Sequence, residues 1–294
     1  MKLLFIVFLF LITNIISFSQ AIFNTSSDLI QAEYNFAADA KESGVRDSFL
    51  KFIADDGILF RPHPVNGKEF LSKQEKRPGL LLWYPSFSIV SEAGDLGFNT
   101  GPWEFKRTAD DSSIAFGNFV TVWKKQKDGS WKFLIDVGNS NAKPDKEIPA
   151  LVSGDLEEKK NKIMIEYSES AKEDLFNTEK MFSELSVEQN LSEAYKNYTF
   201  EKSMYIRDEY FPLIGKEISI FLESQNSTQS WETLGGLVSA SNDLGYTYGK
   251  ITNWKNKEKS ESENALYYLR CWVKDNGNWK ILIDVANVIP EEKE

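Results

Sequence analysis

A self-similarity displaced by 148 residues (243 − 95) constrains this chain more than any other feature. Asp95-Leu96-Gly97-Phe98-Asn99-Thr100-Gly101 returns as Asp243-Leu244-Gly245-Tyr246-Thr247-Tyr248-Gly249. Gly129-Ser130-Trp131-Lys132-Phe133-Leu134-Ile135-Asp136-Val137 returns as Gly277-Asn278-Trp279-Lys280-Ile281-Leu282-Ile283-Asp284-Val285. The same step relates Trp83 to Trp231, Asn139 to Asn287 and Gly67-Lys68-Glu69 to Gly215-Lys216-Glu217. Nearer the start it is 146 (174 − 28), relating Asp28-Leu29 to Asp174-Leu175 and Arg61 to Arg207, and a two-residue insertion around 208–211 absorbs the difference. Solenoid units repeat every 20–50 residues or so, and this period is far longer. The pattern is that of a duplicated domain, with units expected at 24–142 and 173–290 and a charged, Pro-containing linker at 143–172.

Each unit predicts helices first and strands after, an α+β order. Asp28 with Gln31 has the spacing of a capping box, and Leu29, Ala32, Phe36 and Ala40 make a helical apolar stripe. Gly44 ends that helix, and Val45, Phe49, Phe52 and Ile53 predict a second. Ile58-Leu59-Phe60 reads as a short strand stopped by Pro62 and Pro64, and 67–74 as a third helix. Strand-like runs follow at 87–91, 96–106, 114–125 and 131–137, with hairpin signals at Asp128-Gly129 and Asn276-Gly277. Trp131, Phe133, Ile135 and Val137 alternate with Lys132, Leu134 and Asp136, which predicts an antiparallel strand with one buried face. The segment 163–167 is left open between a strand and the lead into a helix.

At the start, Lys2, an apolar run from Leu3 to Ile12, and Ser17 and Ser19 describe a cleavable secretory signal at 1–19, with Gln20 as the new N-terminus. The run is short for a membrane span, which needs about 20 apolar residues. The alternative is an uncleaved anchor. No Cys stands near the junction to carry a lipid. The expectation is an exported protein, periplasmic or extracellular in a bacterium, not embedded in a membrane. A net charge of −10 argues against nucleic-acid binding, which needs a basic stripe. One Cys, Cys271, excludes an intrachain disulfide, and with a single His it excludes the His/Cys zinc sets. No cofactor motif is found.

The run Phe52-Ile53-Ala54-Asp55-Asp56-Gly57-Ile58-Leu59-Phe60-Arg61-Pro62, with Gly67-Lys68 and Gly129-Ser130-Trp131-Lys132, resembles the superfamily of nuclear transport factor 2, ketosteroid isomerase and SnoaL-like cyclases. Within it the match is to bacterial domains of unknown function, over 28–140 and, more faintly, 174–288. The resemblance implies two tandem cone-shaped α+β domains, each with about three helices on a strongly bent antiparallel sheet and a pocket at the open end. It does not imply one activity, because the fold hosts enzymes, binders and scaffolds. Where the isomerases carry their general-base Asp, this chain has Arg61 and Arg207, and an arginine cannot take a proton from carbon. The isomerase oxyanion-hole Tyr and Asp fall near Ala37 and Thr121. Isomerase chemistry of that type is not expected.

The candidate site residues divide between function and structure. His63 is a conceivable general base, but between two prolines it reads as an exposed loop histidine. Asp136 and Asp284 recur near the end of the last strand, where each needs a partner, and Arg61 and Arg207 are recurring cations. Trp83, Tyr84, Trp103, Phe119 and Trp123 can line an apolar pocket or fill a core, as can Trp231 in the second unit. Trp103-Glu104 after Gly101-Pro102 predicts a bulge that re-aims side chains, and Ile251 takes the place of Trp103 in the second unit. Asn139 and Asn287 complete the pocket set, and Cys271 reads as a buried thiol. Three functions follow: a binder of a small apolar or aromatic ligand without catalysis, a structural module whose units form an intrachain pseudo-dimer, with a homo-oligomer as the alternative assembly, or a cyclase, hydrolase or dehydratase using His63, Glu104 and Asp136.

Overall fold

The computed structural model describes residues 27–61, 63–151, 168–225, 227–255 and 266–288. The signal segment 1–19 and the segment 163–167 lie outside them. The fold is mixed α+β, with two sheets and six helices among the described residues. Helices α1 (Ser27–Ser43), α2 (Val45–Phe52) and α3 (Gly67–Ser72) accompany strands β1 (Ile53–Phe60), β2 (Pro64–Asn66), β3 (Leu80–Trp83), β4 (Phe87–Val90), β5 (Leu96–Lys106), β6 (Ala115–Lys125) and β7 (Trp131–Asn141). Helices α4 (Glu169–Glu188), α5 (Leu191–Tyr198) and α6 (Lys216–Gln225) accompany β8 (Met204–Arg207), β9 (Leu213–Ile214), β10 (Thr228–Val238), β11 (Leu244–Lys255), β12 (Leu266–Asp275) and β13 (Asn278–Val288). The first sheet runs β2-β1-β7-β6-β5-β3, with β4 also on β5; the second runs β10-β11-β12-β13-β8-β9. Asn276 (φ 49°) and Gly277 (φ 80°) form the turn between β12 and β13, both in the left-handed region that a tight hairpin requires.

Several expectations are corrected. The sheets are not wholly antiparallel: β1 pairs with β7, and β8 with β13, in parallel, because helices intervene before the chain returns. The alternation along β7 is broken. Val122 faces Ile135 while Trp123 faces Phe133, so Leu134 is a bulged extra residue. Trp131 and Phe133 therefore pack with the helices, and Ile135 and Val137 pack on the opposite face. The second sheet repeats this with Leu282 between Ile281 and Ile283. The bulge matters for the site, because it turns Asp136 and Asp284 toward the helix-covered side.

No bulge occurs at Gly101-Pro102, where the β5–β6 ladder is continuous. What changes there is the outer neighbour, β4 giving way to β3 around the Tyr84–Ser86 connection. A Cβ on Gly101 would sit 2.1 Å from the Tyr84 carbonyl oxygen, so only glycine fits. Asp28 lies inside α1, one residue after its start at Ser27, and the Gln31 amide donates to Asn35. Its carboxylate accepts from Lys125 Nζ (2.7 Å) and Trp131 Nε1 (3.3 Å), tying the start of α1 to the hairpin. Asp174 does the same with Trp279 Nε1 (2.9 Å), while Ser168 caps α4.

The faces of the two sheets away from the helices pack on each other. Ile89, Phe98, Val120, Val122 and Val137 share one apolar core with Leu244, Tyr246, Leu269, Cys271 and Val285. Phe60 stacks on Tyr267 with centroids 5.6 Å apart. The rim of this contact is reciprocal. Ala240 N donates to Asp95 Oδ2 (3.0 Å), and Glu92 N donates to Asp243 Oδ2 (2.9 Å). Each Asp is braced in turn by a serine four residues back, Ser91 Oγ (2.7 Å) or Ser239 Oγ (2.8 Å). Asp95 is fully buried, so Asp95→Ala leaves the Ala240 N–H without its acceptor. This variant is expected to lose about 2 kcal/mol in urea unfolding; a loss within error would show that the rim contact adds nothing.

Candidate functional site

The helix-covered interior of the second half is closed by a chain of charges. Arg270 and Asp284 stand opposite each other on β12 and β13, and both are 0% exposed. Arg270 Nε donates to Asp284 Oδ2 (2.5 Å), and its Nη1 pairs with Glu179 from α4. Arg207 Nη2 donates to Asp284 Oδ1 (2.6 Å), and the Tyr195 hydroxyl to Oδ2 (2.9 Å). The Arg270 guanidinium lies 4.2 Å from the Phe182 ring centroid and 5.0 Å from those of Trp231 and Tyr268. Burial by itself would raise the Asp284 carboxyl; Arg207 and Arg270 outweigh it and hold it below the usual range. Two carboxylates meet two guanidinium groups, so the charges balance, while Arg270 Nη2 is buried without a hydrogen-bond partner.

The first half keeps the carboxylates and loses one cation. Thr121 stands opposite Asp136, where Arg270 stands opposite Asp284. Glu33, on α1, is completely buried and accepts from Trp83 Nε1 (2.8 Å), Trp123 Nε1 (2.7 Å) and Asn99 Nδ2 (3.0 Å). Burial raises its carboxyl to about 7, against these donors, and the charge of Asp136 adds to the rise. Asp136 is half-buried and accepts from Thr121 Oγ1 (2.8 Å). Burial lifts it to about 6, opposed by that bond and by the charge of Arg61. Phe49 replaces Tyr195, so a further donor is lost. The interior can hold protons near neutrality, but Phe36 packs against Trp83, Trp123 and Phe133 beside Glu33. Glu33 is thus sealed from any substrate.

Outside this packed interior the described residues form two clefts. The first, of about 360 Å³, opens between α3, the 74–79 loop and the edge of the sheet. Arg46, Arg61 and Arg77 line it with Val45, Phe70, Leu71, Leu81 and Phe105, and Glu75 is the acidic residue among its lining. The second, of about 330 Å³, is walled by residues 143–148 folding back over Tyr84, Trp103, Glu104 and Phe116. That returning segment is held by the Tyr84 hydroxyl on the Ile148 carbonyl (2.8 Å) and the Tyr34 hydroxyl on the Leu151 carbonyl (2.6 Å).

The predicted site residues are therefore dispersed. Trp83, Trp123, Phe119 and Trp231 belong to the cores, the first two with their indole N–H groups on Glu33, and Trp83 also lines the second cleft. Arg61 lines the first cleft and acts on Asp136; Tyr84, Trp103 and Glu104 line the second. His63 is exposed, and its carbonyl accepts from Arg61 N (2.9 Å). No hydrogen bond or ion pair among the described residues joins His63 or Glu104 to Asp136. Asn139 sits at the seam between the sheets, donating to the Arg207 carbonyl (2.7 Å). Arg207 and Asp284 are in the closed network, and the side chain of Asn287 lies outside the described residues. Among the described residues no group of three His, Cys, Asp or Glu side chains forms a metal set. No described helix is long and apolar enough to cross a membrane.

Glu33 and Glu179 escaped the sequence reading. The signal was present, since Glu33 lies within the Leu29-Ala32-Phe36 stripe and recurs at the same displacement of 146 (179 − 33) that relates Arg61 to Arg207.

No protein-family model matches the chain, and no curated protein matches it either. Solved structures similar to it include a protein of unknown function with a cystatin-like fold from Nostoc punctiforme, 14% identical over 42% of this chain and 96% of that one, with a TM-score of 0.34. An NTF2-like protein from Cytophaga hutchinsonii is 14% identical over 41% and 93%, with a TM-score of 0.30. An NTF-2 like protein of unknown function from Shewanella oneidensis is 19% identical over 38% and 95%, with a TM-score of 0.30.

Proposed function

We propose that this chain is an exported binding protein without catalytic activity, built from two tandem cone-shaped units at 24–142 and 173–290. The units act as an intrachain pseudo-dimer joined by 143–172, and the leader at 1–19 is removed on export. The first unit holds a small molecule in the cleft between α3, the 74–79 loop and the sheet edge, and the second serves as its structural partner. The observation that carries this reading is the asymmetry at equivalent places. Arg207 is bonded to Asp284 in the closed interior of the second unit, whereas Arg61 is exposed and lines a cleft of about 360 Å³. Catalysis is not part of the reading, because Glu33 is sealed and neither His63 nor Glu104 is bonded to Asp136.

A second reading, a structural module with no ligand, draws on the aromatic packing that fills both interiors. Native mass spectrometry of protein purified from its own host separates the two. A retained small molecule, lost in a Leu71→Trp variant that fills the cleft, is expected for a binder. A bare protein mass in both samples would leave the structural module.

A further inference from the structure

Independently of what fills the first cleft, we infer that the second cleft, under residues 143–148, binds an organic ammonium ion with an aromatic body, its charged head received by Glu104. At about 330 Å³ the space lies at the small end of ligand pockets and suits one ring with a short amine arm.

The floor supplies the charge. Glu104 on β5 stands between Leu82 of β3 and Phe116 of β6, its direct cross-strand neighbours. It is half-buried, and no hydrogen bond or ion pair among the described residues meets its carboxylate. A carboxylate drawn in beside apolar side chains costs free energy until a cation or donor answers it. The wall does not provide that cation. Lys143 and Lys146 are exposed, and no ion pair among the described residues joins either of them to Glu104. Asp145 and Glu147 cancel their formal charge, so with three carboxylates against two ammonium groups Glu104 sets the sign of the cleft. Burial raises the Tyr84 hydroxyl above its ordinary value, and the charges of Glu147 and Glu104 raise it further, as a negative potential in the cleft requires.

The aromatic lining supplies the body of the site. The Tyr84 hydroxyl donates to the Ile148 carbonyl (2.8 Å) and Trp103 Nε1 to the Asn139 carbonyl (3.0 Å), so neither has a donor left to give. With Phe116 they offer aromatic surface, which attracts ammonium groups. A neutral ligand would leave Glu104 unmatched, and an anion would meet a like charge. The wall itself is tied down beyond the cleft, by the Tyr84 and Tyr34 hydroxyls and by Leu151 N on the Pro85 carbonyl (2.9 Å). In the second unit the counterpart of Glu104 is Thr252 (252 − 148) and that of Trp103 is Ile251, so the ammonium site belongs to the first unit alone.

Three phenyl probes test the inference by titration calorimetry at pH 7 on the mature chain: 2-phenylethylammonium, 2-phenylethanol and phenylacetate. The ammonium is expected to bind at least ten-fold more tightly than the alcohol, with no heat from phenylacetate. Glu104→Gln keeps the shape and removes the charge, and is expected to bring the ammonium to within two-fold of the alcohol, with circular dichroism checking its fold. Leu71→Trp, which fills the first cleft, is expected to leave ammonium binding as it is. No binding of the ammonium, equal binding of ammonium and alcohol, or ammonium binding untouched by Glu104→Gln would overturn the assignment. Ammonium binding lost in Leu71→Trp and kept in Glu104→Gln would overturn it too, while leaving the first cleft as a binding site. The retained-molecule measurement decides the first cleft separately, so neither reading falls with the other.

Discussion

Arg270→Met is expected to lower the unfolding free energy by about 3–5 kcal/mol, the cost of removing one partner from a buried ion pair and leaving the other charged. Two carboxylates depend on this one guanidinium: Asp284 through Nε (2.5 Å) and Glu179 through Nη1. All three groups are at most 1% exposed, so water cannot take over. Methionine fills much of the volume and can sit among Phe182, Trp231 and Tyr268, so the loss reads as charge rather than cavity. The control is the double variant with Glu179→Gln, in which the carboxylate left without a cation is removed and Asp284 keeps Arg207 (2.6 Å). Replacing both members of a buried ion pair with neutral groups is often close to neutral, so the double variant is expected to recover much of the loss. Urea unfolding followed by tryptophan fluorescence measures both. A single variant as stable as the parent would show that the network is not what holds the second unit's interior.

The same network shows which features the sequence made visible. The repeat was legible because strand ends, hairpin glycines and the Trp131/Trp279 anchors are fixed by backbone geometry that both halves share. The pairing of Asp284 with Arg207 was also within reach, since each recurs at its own constant displacement. Three things were not legible. The bulges at Leu134 and Leu282 leave no mark in the hydrophobic pattern, because both faces of the strand are buried and an apolar residue suits either. Their effect is to put Asp136 on the side opposite to that expected. Glu33 was hidden by its type, since a glutamate on a helix reads as solvent-facing until two indole N–H groups are found on it. The clefts depend on loops, at 74–79 and 143–148, whose paths follow from tertiary contacts and not from any local period.

The first unit is expected to weaken as the pH rises, opposite to the usual behaviour of buried carboxylates in ion pairs. Folding lifts Glu33 from 4.5 to about 7 and Asp136 from 3.8 to about 6. A carboxyl raised on folding binds its proton more tightly in the native state, so its contribution is whole below the unfolded value and is lost as the pH climbs through the folded one. The window runs from about pH 4 to about pH 7. For Glu33 alone the loss between pH 5 and pH 8 is on the order of 3 kcal/mol. Asp136 is half-buried and close enough to titrate jointly with Glu33, so its share is smaller. Asp284 has the opposite sign: its carboxyl is lowered, and the second unit loses stability only as the pH falls through the carboxylate range. Glu33→Gln should therefore flatten the alkaline limb of the stability profile and leave the acid limb intact. The variant keeps an oxygen for one indole but presents an amide to the Asn99 amide group, so it starts from a lower stability at pH 5. The distinguishing readout is the slope between pH 5 and pH 8, taken from urea midpoints. Identical slopes in parent and variant would mean that Glu33 stays ionised in the fold, its three N–H donors outweighing burial.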